Sequence, residues 1–237
     1  MKIISWNCNG AFRKKYHLVV QLDPDIMVIQ ECENPDKFIT DNGRYGYRWV
    51  GSNPNKGLGV FFKKKHHIQD LEWNDQWRGR SLQWFLPTLI NQKTTLLGVW
   101  THKADAKAFA YIGQFYLYMQ NNKNKFKNTD IVCGDFNSNA IWHAWDIWWN
   151  HIDCVDELRD HNLHSIYHTL NGLAEGHENA PTLLHRKNLD NGYHIDYIYT
   201  DKDRISRTKE FELGEFSDWM NYSDHVPLIW EYDESGD

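Results

Sequence analysis

Residues 132–139 read VCGDFNSN. An apolar run here gives way to a glycine, an acid and two amides, where an ordinary charged turn would serve to end a strand. A carboxylate and an amide two residues apart at a strand end can hold and activate a water, or they can cap a loop. The stretch alone leaves both readings open.

Around it, DIVCGDF (130–136) has the β-branched and aromatic content of a strand. So do KIISWNC (2–8), DIMVIQE (25–31), GLGVFFK (57–63), SLQWFLPTLI (81–90), TTLLGVW (94–100), HIDYIYT (194–200) and VPLIWEY (226–232). Helical patterns are fewer. Behind Asp105, DAKAFAYIGQFYLYMQ keeps apolar residues at three- and four-residue spacing and predicts a helix over about 105–122, with a second over about 153–161. Strands thus outnumber helices without strict alternation, which favours two packed mixed sheets with helices outside them over a doubly wound parallel sheet. The tail DESGD (233–237) is expected to fray.

The 237 residues contain no interior linker rich in Pro, Gly or Ser, and 1–237 reads as a single domain. A hydrophobic content of 41% with 12 Trp excludes a disordered chain, while a mean hydropathy of -0.70 implies the polar surface of a soluble globular protein. The N-terminal apolar run is too short for a signal peptide and no later segment would cross a bilayer, so no membrane contact and a cytoplasmic location are expected. Cys8, Cys32, Cys133 and Cys154 are scattered, which points to buried reduced thiols and not to disulfides or a zinc site. The formal charge of -6 argues against holding long nucleic acid by bulk electrostatics. The basic runs RKK (13–15) and KKKHH (63–67) read as solvated strand ends or edges. No protein partner is indicated, and a monomer is expected.

Polar residues able to bind metal or phosphate interrupt or end the predicted strands: Asn7 and Asn9 in SWNCNG, Glu31, His102, Asp135 and Asn137, Asp196 in HIDYIYT, and Asp224 with His225 in YSDHVPL. Singly, each has a bland explanation as a turn residue, a helix-entry acid or a satisfied histidine. Their shared placement is harder to dismiss, because Asp196 lies inside an apolar run where an unpaired carboxylate is costly to bury.

In order and approximate spacing, SWNCNG, QE, GDFN, HIDY and SDH resemble the motifs of the endonuclease/exonuclease/phosphatase superfamily. That group includes pancreatic-type deoxyribonucleases, apurinic-site endonucleases, deadenylases and inositol-polyphosphate phosphatases. The resemblance runs from residue 3 to about 230, and GDFN is its most specific motif. It implies an α/β (α+β) four-layer αββα sandwich, two facing mixed β-sheets flanked by helices, with the active site at one end of the sheets. It also implies a metal-dependent phosphodiesterase, foremost a nuclease whose partner is a DNA or RNA substrate.

Such a reaction needs an oriented water, relief of phosphoryl charge and stabilisation of the leaving oxygen. Mg2+, with Mn2+ as a substitute, takes oxygen ligands; Glu31 is the expected principal ligand, assisted by Asn7 or Asn9 and by Asp224. By resemblance, Asp135 orients and deprotonates the attacking water and Asn137 positions that water or a phosphate oxygen. His225 binds a phosphoryl oxygen or moves a proton, and Asp196 fixes its tautomer and supports its positive form. His102 is a phosphate-binding candidate alongside Asn7, Asn9 and Asn137. The earlier-strand glutamate that partners such a histidine in some members has no counterpart in NPNKGLGVFF (53–62).

After GDFN, the stretch AIWHAWDIWWN places Trp142, Trp145 and Trp149 at helical spacing with Trp148 beside them. An amphipathic helix packing on the sheets is the favoured reading and base stacking the minority one. Arg78 and Arg80 in WNDQWRGRSLQW read equally as phosphate contacts or as part of a hairpin connection. His161, His164 and His168 could share one helical face, which without H-E-x-x-H or a cysteine pair reads as a solvated or partly buried face and not as zinc ligation. Two rivals to a nuclease stand: a Mg2+-dependent phosphatase of a small phosphorylated lipid or sugar, and a catalytically silent binding module of the same fold.

Overall fold

The computed structural model describes residues 1–39 and 43–235, so Gly236 and Asp237 of the tail expected to fray lie outside the described residues. Its first half contains β1 (Lys2–Asn7), α1 (Tyr16–Val20), β2 (Ile26–Cys32), β3 (Tyr45–Asn53), β4 (Lys56–Lys63), β5 (Ile68–Asp70), β6 (Gln76–Trp77), β7 (Arg80–Ser81), β8 (Phe85–Ile90), β9 (Thr94–Trp100) and α2 (Ile112–Asn121). Then follow α3 (Lys123–Phe126), β10 (Ile131–Asp135), α4 (His151–Asp160), β11 (His164–Ser165), α5 (Ile166–Asn171), β12 (Leu183–Leu184), β13 (Gly192–Tyr193), β14 (Asp196–Thr200), α6 (Lys202–Ser206), β15 (Thr208–Leu213), α7 (Phe216–Trp219) and β16 (Leu228–Tyr232).

Two six-stranded sheets result, ordered β15-β16-β1-β2-β4-β3 and β11-β14-β10-β9-β8-β5. Both are mixed, since β1/β2 and β9/β10 pair in parallel amid antiparallel neighbours. Alternate side chains of one strand leave opposite faces of its sheet, so each central run feeds two cores. Ile3, Val28 and Val60 from the first sheet meet Leu96, Ile131, Cys133 and Ile198 from the second in a core between the sheets. The intervening Ile4, Met27, Ile29 and Phe61 go outward to Phe12 and Val19. On the other side, Leu97, Val99, Val132 and Tyr199 pack against Phe115 and Tyr118 of α2 and against Val155 and Leu158 of α4. Three cores between four layers make the expected αββα sandwich, and they explain why these strands read as continuous apolar runs.

The helical expectations need adjustment. Over 105–122, only 112–121 is α-helix, preceded by a 3-10 turn at Lys107–Phe109, because Ala110 is extended and Tyr111 has φ 51°. The second helix starts two residues earlier than expected, at His151, where the Asp153 carboxylate accepts the Asn150 backbone N–H at 2.6 Å. The tryptophan segment is not a helix. A 3-10 turn covers Ala140–Trp142, and the Asn150 side chain then binds the carbonyls of Ala144 and Ile147, competing with helical hydrogen bonding. Trp142, Trp145 and Trp148 are left 48, 91 and 58% exposed, and Trp149 packs at Gly113. Arg78 sits in the turn of the β6–β7 hairpin and Arg80 pairs with Asp105 at 3.0 Å, which favours the hairpin reading. His161, His164 and His168 fall at the end of α4, in β11 and in α5, so they share no helical face. Among the described residues no helix is long and apolar enough to cross a membrane.

Candidate active site

The strand β10 runs antiparallel to β14 with Asp135 directly opposite Asp196, so two buried carboxylates stand side by side at one end of the second sheet. Gly134 lets β10 lie close against β9 on its other side: its φ is 150°, and a Cβ there would lie 1.8 Å from the Val99 carbonyl oxygen. The acid is then fixed by amides. Asn137, at φ 45° just past the strand, donates its backbone N–H to Asp135 Oδ1 and its side-chain amide to Asp135 Oδ2 and the Thr101 carbonyl, each at 2.8 Å. From the facing sheet, Asn7 at the end of β1 donates its amide to Asp135 Oδ2 at 2.8 Å.

The segment before β16 supplies His225. Its Nδ1–H donates to Asp196 Oδ2 at 2.9 Å, and Asp196 Oδ2 also accepts the Thr182 hydroxyl at 2.6 Å. The other Asp196 oxygen, Oδ1, is buried without a hydrogen-bond partner. The His225 backbone is set by β1: Trp6 Nε1 donates to the His225 carbonyl, and the Ser223 hydroxyl bridges the Asn7 carbonyl and the His225 N–H. One functional oxygen or nitrogen from each of Asp135, Asp196 and His225 lies within 4.8 Å of the others.

Electrostatics follow from this crowding. Burial, and then the Asp196 charge beside it, push the Asp135 carboxyl up to about 7, with His225, Asn7 and Asn137 pulling the other way. Burial alone would lower His225, but the charge and hydrogen bond of Asp196 outweigh it and raise the imidazole to about 10. Near neutral pH the site therefore holds an imidazolium–carboxylate pair beside an acid poised to gain or lose a proton.

The other expected site residues lie around this group, not in it. Glu31 has φ 60° at a bulge of β2, one residue past the Gln30 that pairs with Asn7, and its carboxylate meets the Lys56 ammonium at 2.7 Å. Asn9 donates its amide to Asp224 Oδ1 at 3.1 Å. Glu31, Asn7 and Asp224 offer only oxygen to a metal, and Lys56 marks Glu31 as a position that favours positive charge, so this donor set fits a hard cation such as Mg2+. His102 follows Thr101, whose backbone N–H donates to the Asp135 carbonyl and whose carbonyl accepts the Asn137 amide. Its Nδ1–H donates to the Lys103 carbonyl, its Nε2 is buried without a partner, and its ring lies against Trp84 and Trp100. The cavity it lines is shared with Arg80, Asp105 and Phe109. Thr182 and Ser223, which hold Asp196 and His225, have no role assignable from sequence: Ser223 lies within SDH, and nothing in APTLL singles out Thr182.

No family model matches the chain, and no curated protein matches it significantly in sequence. Solved structures do match in shape. A 3'-5' exonuclease from Neisseria meningitidis superposes with a TM-score of 0.72 at 17% identity, covering 98% of this chain and 100% of that one. An AP endonuclease from Archaeoglobus fulgidus gives 0.71 at 15% identity over 98% and 99% of the two chains. A Neisseria 3' phosphatase bound to a product DNA hairpin gives 0.68 at 18% identity, again over 98% and 99%. The chain shares the fold of these exonuclease and AP endonuclease structures.

Proposed function

We propose that this chain is a single-domain, divalent-metal-dependent phosphodiesterase that hydrolyses DNA or RNA. The observation that carries the reading is the buried group of Asp135, Asp196 and His225, in which packing raises the proton affinity of both Asp135 and His225. An acid held near 7 is matched to taking a proton from water at neutral pH. Asp135 acts as that base, and Asn137, whose two amide N–H groups go to Asp135 and Thr101, is left with its Oδ1 to accept from the attacking water. His225, kept protonated by Asp196, donates a charged hydrogen bond to a phosphoryl oxygen as negative charge builds there. Thr182 and Ser223 hold this pair in place.

Glu31, with Asn7 and Asp224, is the proposed holder of Mg2+, or Mn2+ in its place. When bound, the ion polarises the phosphoryl group and neutralises its charge. The Lys56 ammonium, which rests on Glu31 at 2.7 Å, would have to move aside for the ion.

A nucleic-acid substrate is supported by the surroundings of Asn137. A cavity of about 370 Å³ beside it is lined by Tyr111, Trp142, Tyr193 and Ile195, apolar and aromatic surfaces suited to a nucleotide. The solved neighbours named above are nucleases or a DNA 3' phosphatase by description. The four free, buried cysteines support a reducing, cytoplasmic setting. The test is hydrolysis of matched single- and double-stranded DNA and RNA, with Mg2+ or with chelator, by the wild type and by Asp135→Ala. The expected result is Mg2+-dependent cleavage that the variant lacks. Failure of the folded wild type on all four polymers, with release of phosphate from small phosphoesters, would replace the nuclease by a phosphatase.

A further inference from the structure

A second cluster of titratable groups lies outside the catalytic group, where α4 and α5 meet the segment 172–180. Here the side chains of His151, His168, Glu175 and Glu178 are each at most 6% exposed. His168 Nε2 lies 3.3 Å from Glu175 Oε2 and 2.9 Å from Glu178 Oε1, and His151 Nε2 lies 3.6 Å from the same Glu175 oxygen. Three of these atoms are left without a hydrogen bond: both ring nitrogens of His151 and Oε2 of Glu175. Burying such groups unpaired is costly, and protons alone do not resolve it. A proton on His168 Nε2 satisfies Glu178, while His151 Nε2 and Glu175 Oε2, 3.6 Å apart, stay beyond hydrogen-bond reach of each other.

We propose a structural zinc site here: His168 Nε2, Glu175 Oε2 and Glu178 Oε1, which lie within 4.8 Å of one another, are its ligands, and His151, 3.6 Å from Glu175, is placed to become the fourth. N and O ligands at zinc's bond lengths of roughly 2.0–2.2 Å stand about 3.3–3.6 Å apart in a tetrahedron; His168 lies 3.3 Å from Glu175 and 2.9 Å from Glu178, and His151 lies 3.6 Å from Glu175. Two imidazoles exclude Mg2+ as the favoured occupant, because Mg2+ prefers oxygen and keeps its waters. The outer contacts fit as well. The Ser165 hydroxyl lies 2.8 Å from His168 Nδ1 and can accept its proton, which leaves Nε2 free to ligate, and Arg159 Nη2 lies 3.4 Å from Glu175 Oε1. The ion would fasten 172–180 to α4 and α5 just ahead of Thr182, the residue that holds Asp196.

The experiment is a Zn2+ titration of chelator-stripped protein against a chromophoric competitor, on the wild type, Glu175→Gln, His151→Gln and Asp135→Asn, with Co2+ spectra of each. The expected result is one Zn2+ per chain in the wild type and in Asp135→Asn. The tetrahedral Co2+ bands should be lost, and affinity should fall by about 100-fold or more, when Glu175 or His151 is changed. Circular dichroism verifies folding of the variants. If both unfold, zinc-edge anomalous scattering from wild-type crystals decides by the position of the peak. No binding by the wild type, undiminished binding in folded Glu175→Gln, loss in Asp135→Asn, or a peak elsewhere would overturn the assignment.

Discussion

Replacing Asp135 by Asn should make the protein more stable at alkaline pH than at acid pH relative to the wild type, while removing its activity. Asp135 is fully buried and its carboxyl is pushed up to about 7 from an ordinary 3.8. Below 3.8 both folded and unfolded chains hold the proton. Between 3.8 and 7 only the folded chain does, so wild-type stability falls by roughly 1.4 kcal/mol per pH unit, and above 7 the loss is complete. From pH 5 to pH 8 that is about 3 kcal/mol, which Asn does not pay. His225, raised to about 10, stays protonated in the folded chain throughout. Against the gain, the new amide nitrogen must face a donor in either orientation, the Asn137 backbone N–H at the Oδ1 position or the Asn7 and Asn137 side-chain amides at Oδ2, at a cost of about 1–3 kcal/mol at every pH. The variant should therefore be near parity with the wild type or slightly below it at pH 5 and more stable by about 1–3 kcal/mol at pH 8. In thermal unfolding the Tm difference should swing by roughly 6–12 °C over this range. A Tm difference that stays constant from pH 5 to pH 8 would refute the raised acid and with it the proposed base.

Turnover of the wild type should rise with pH through about 7 as Asp135 loses its proton and fall near 10 as His225 loses its own. Asp196→Asn should move both limbs to lower pH and cut turnover far more than stability, since the Asp196 charge raises both groups; a pH–rate profile of the folded variant checks this. Thr182→Val removes the hydroxyl that donates to Asp196 and accepts the Ile195 and Asp196 N–H groups. It should cost about 1–3 kcal/mol in urea unfolding, with reduced kcat. Mg2+ should raise the Tm of the wild type, and Glu31→Gln should abolish that rise while leaving the metal-free Tm within about 2 °C, as differential scanning fluorimetry would show.

The strands at the centre of both sheets were legible because they are buried on two faces: TTLLGVW coincides with β9, and KIISWNC and DIVCGDF overrun β1 and β10 by one or two residues. The strand β3 (YGYRWVGSN) and the strand β15 (TKEFEL) escaped notice because they are the edges of the first sheet, half-exposed and polar enough to read as loops. The tryptophan segment misled in the other direction. Its helical spacing is real, but the buried Asn150 side chain takes the carbonyls of Ala144 and Ile147, a competition that no periodicity reports.

By itself the sequence determined the four-layer class and which polar residues end the strands, because burial period and motif order are local properties of the chain. Only the tertiary structure decided which of those residues meet. It brings Asp135, Asp196, His225, Asn7 and Asn137 into hydrogen-bonded contact across two sheets, and leaves Glu31 on Lys56 and His102 against Trp84 and Trp100. It also recruits Thr182, and it draws His168 away from His161 and His164 to two glutamates. Proximity between residues tens of positions apart is set by sheet register and loop path, and so are the proton affinities that depend on it.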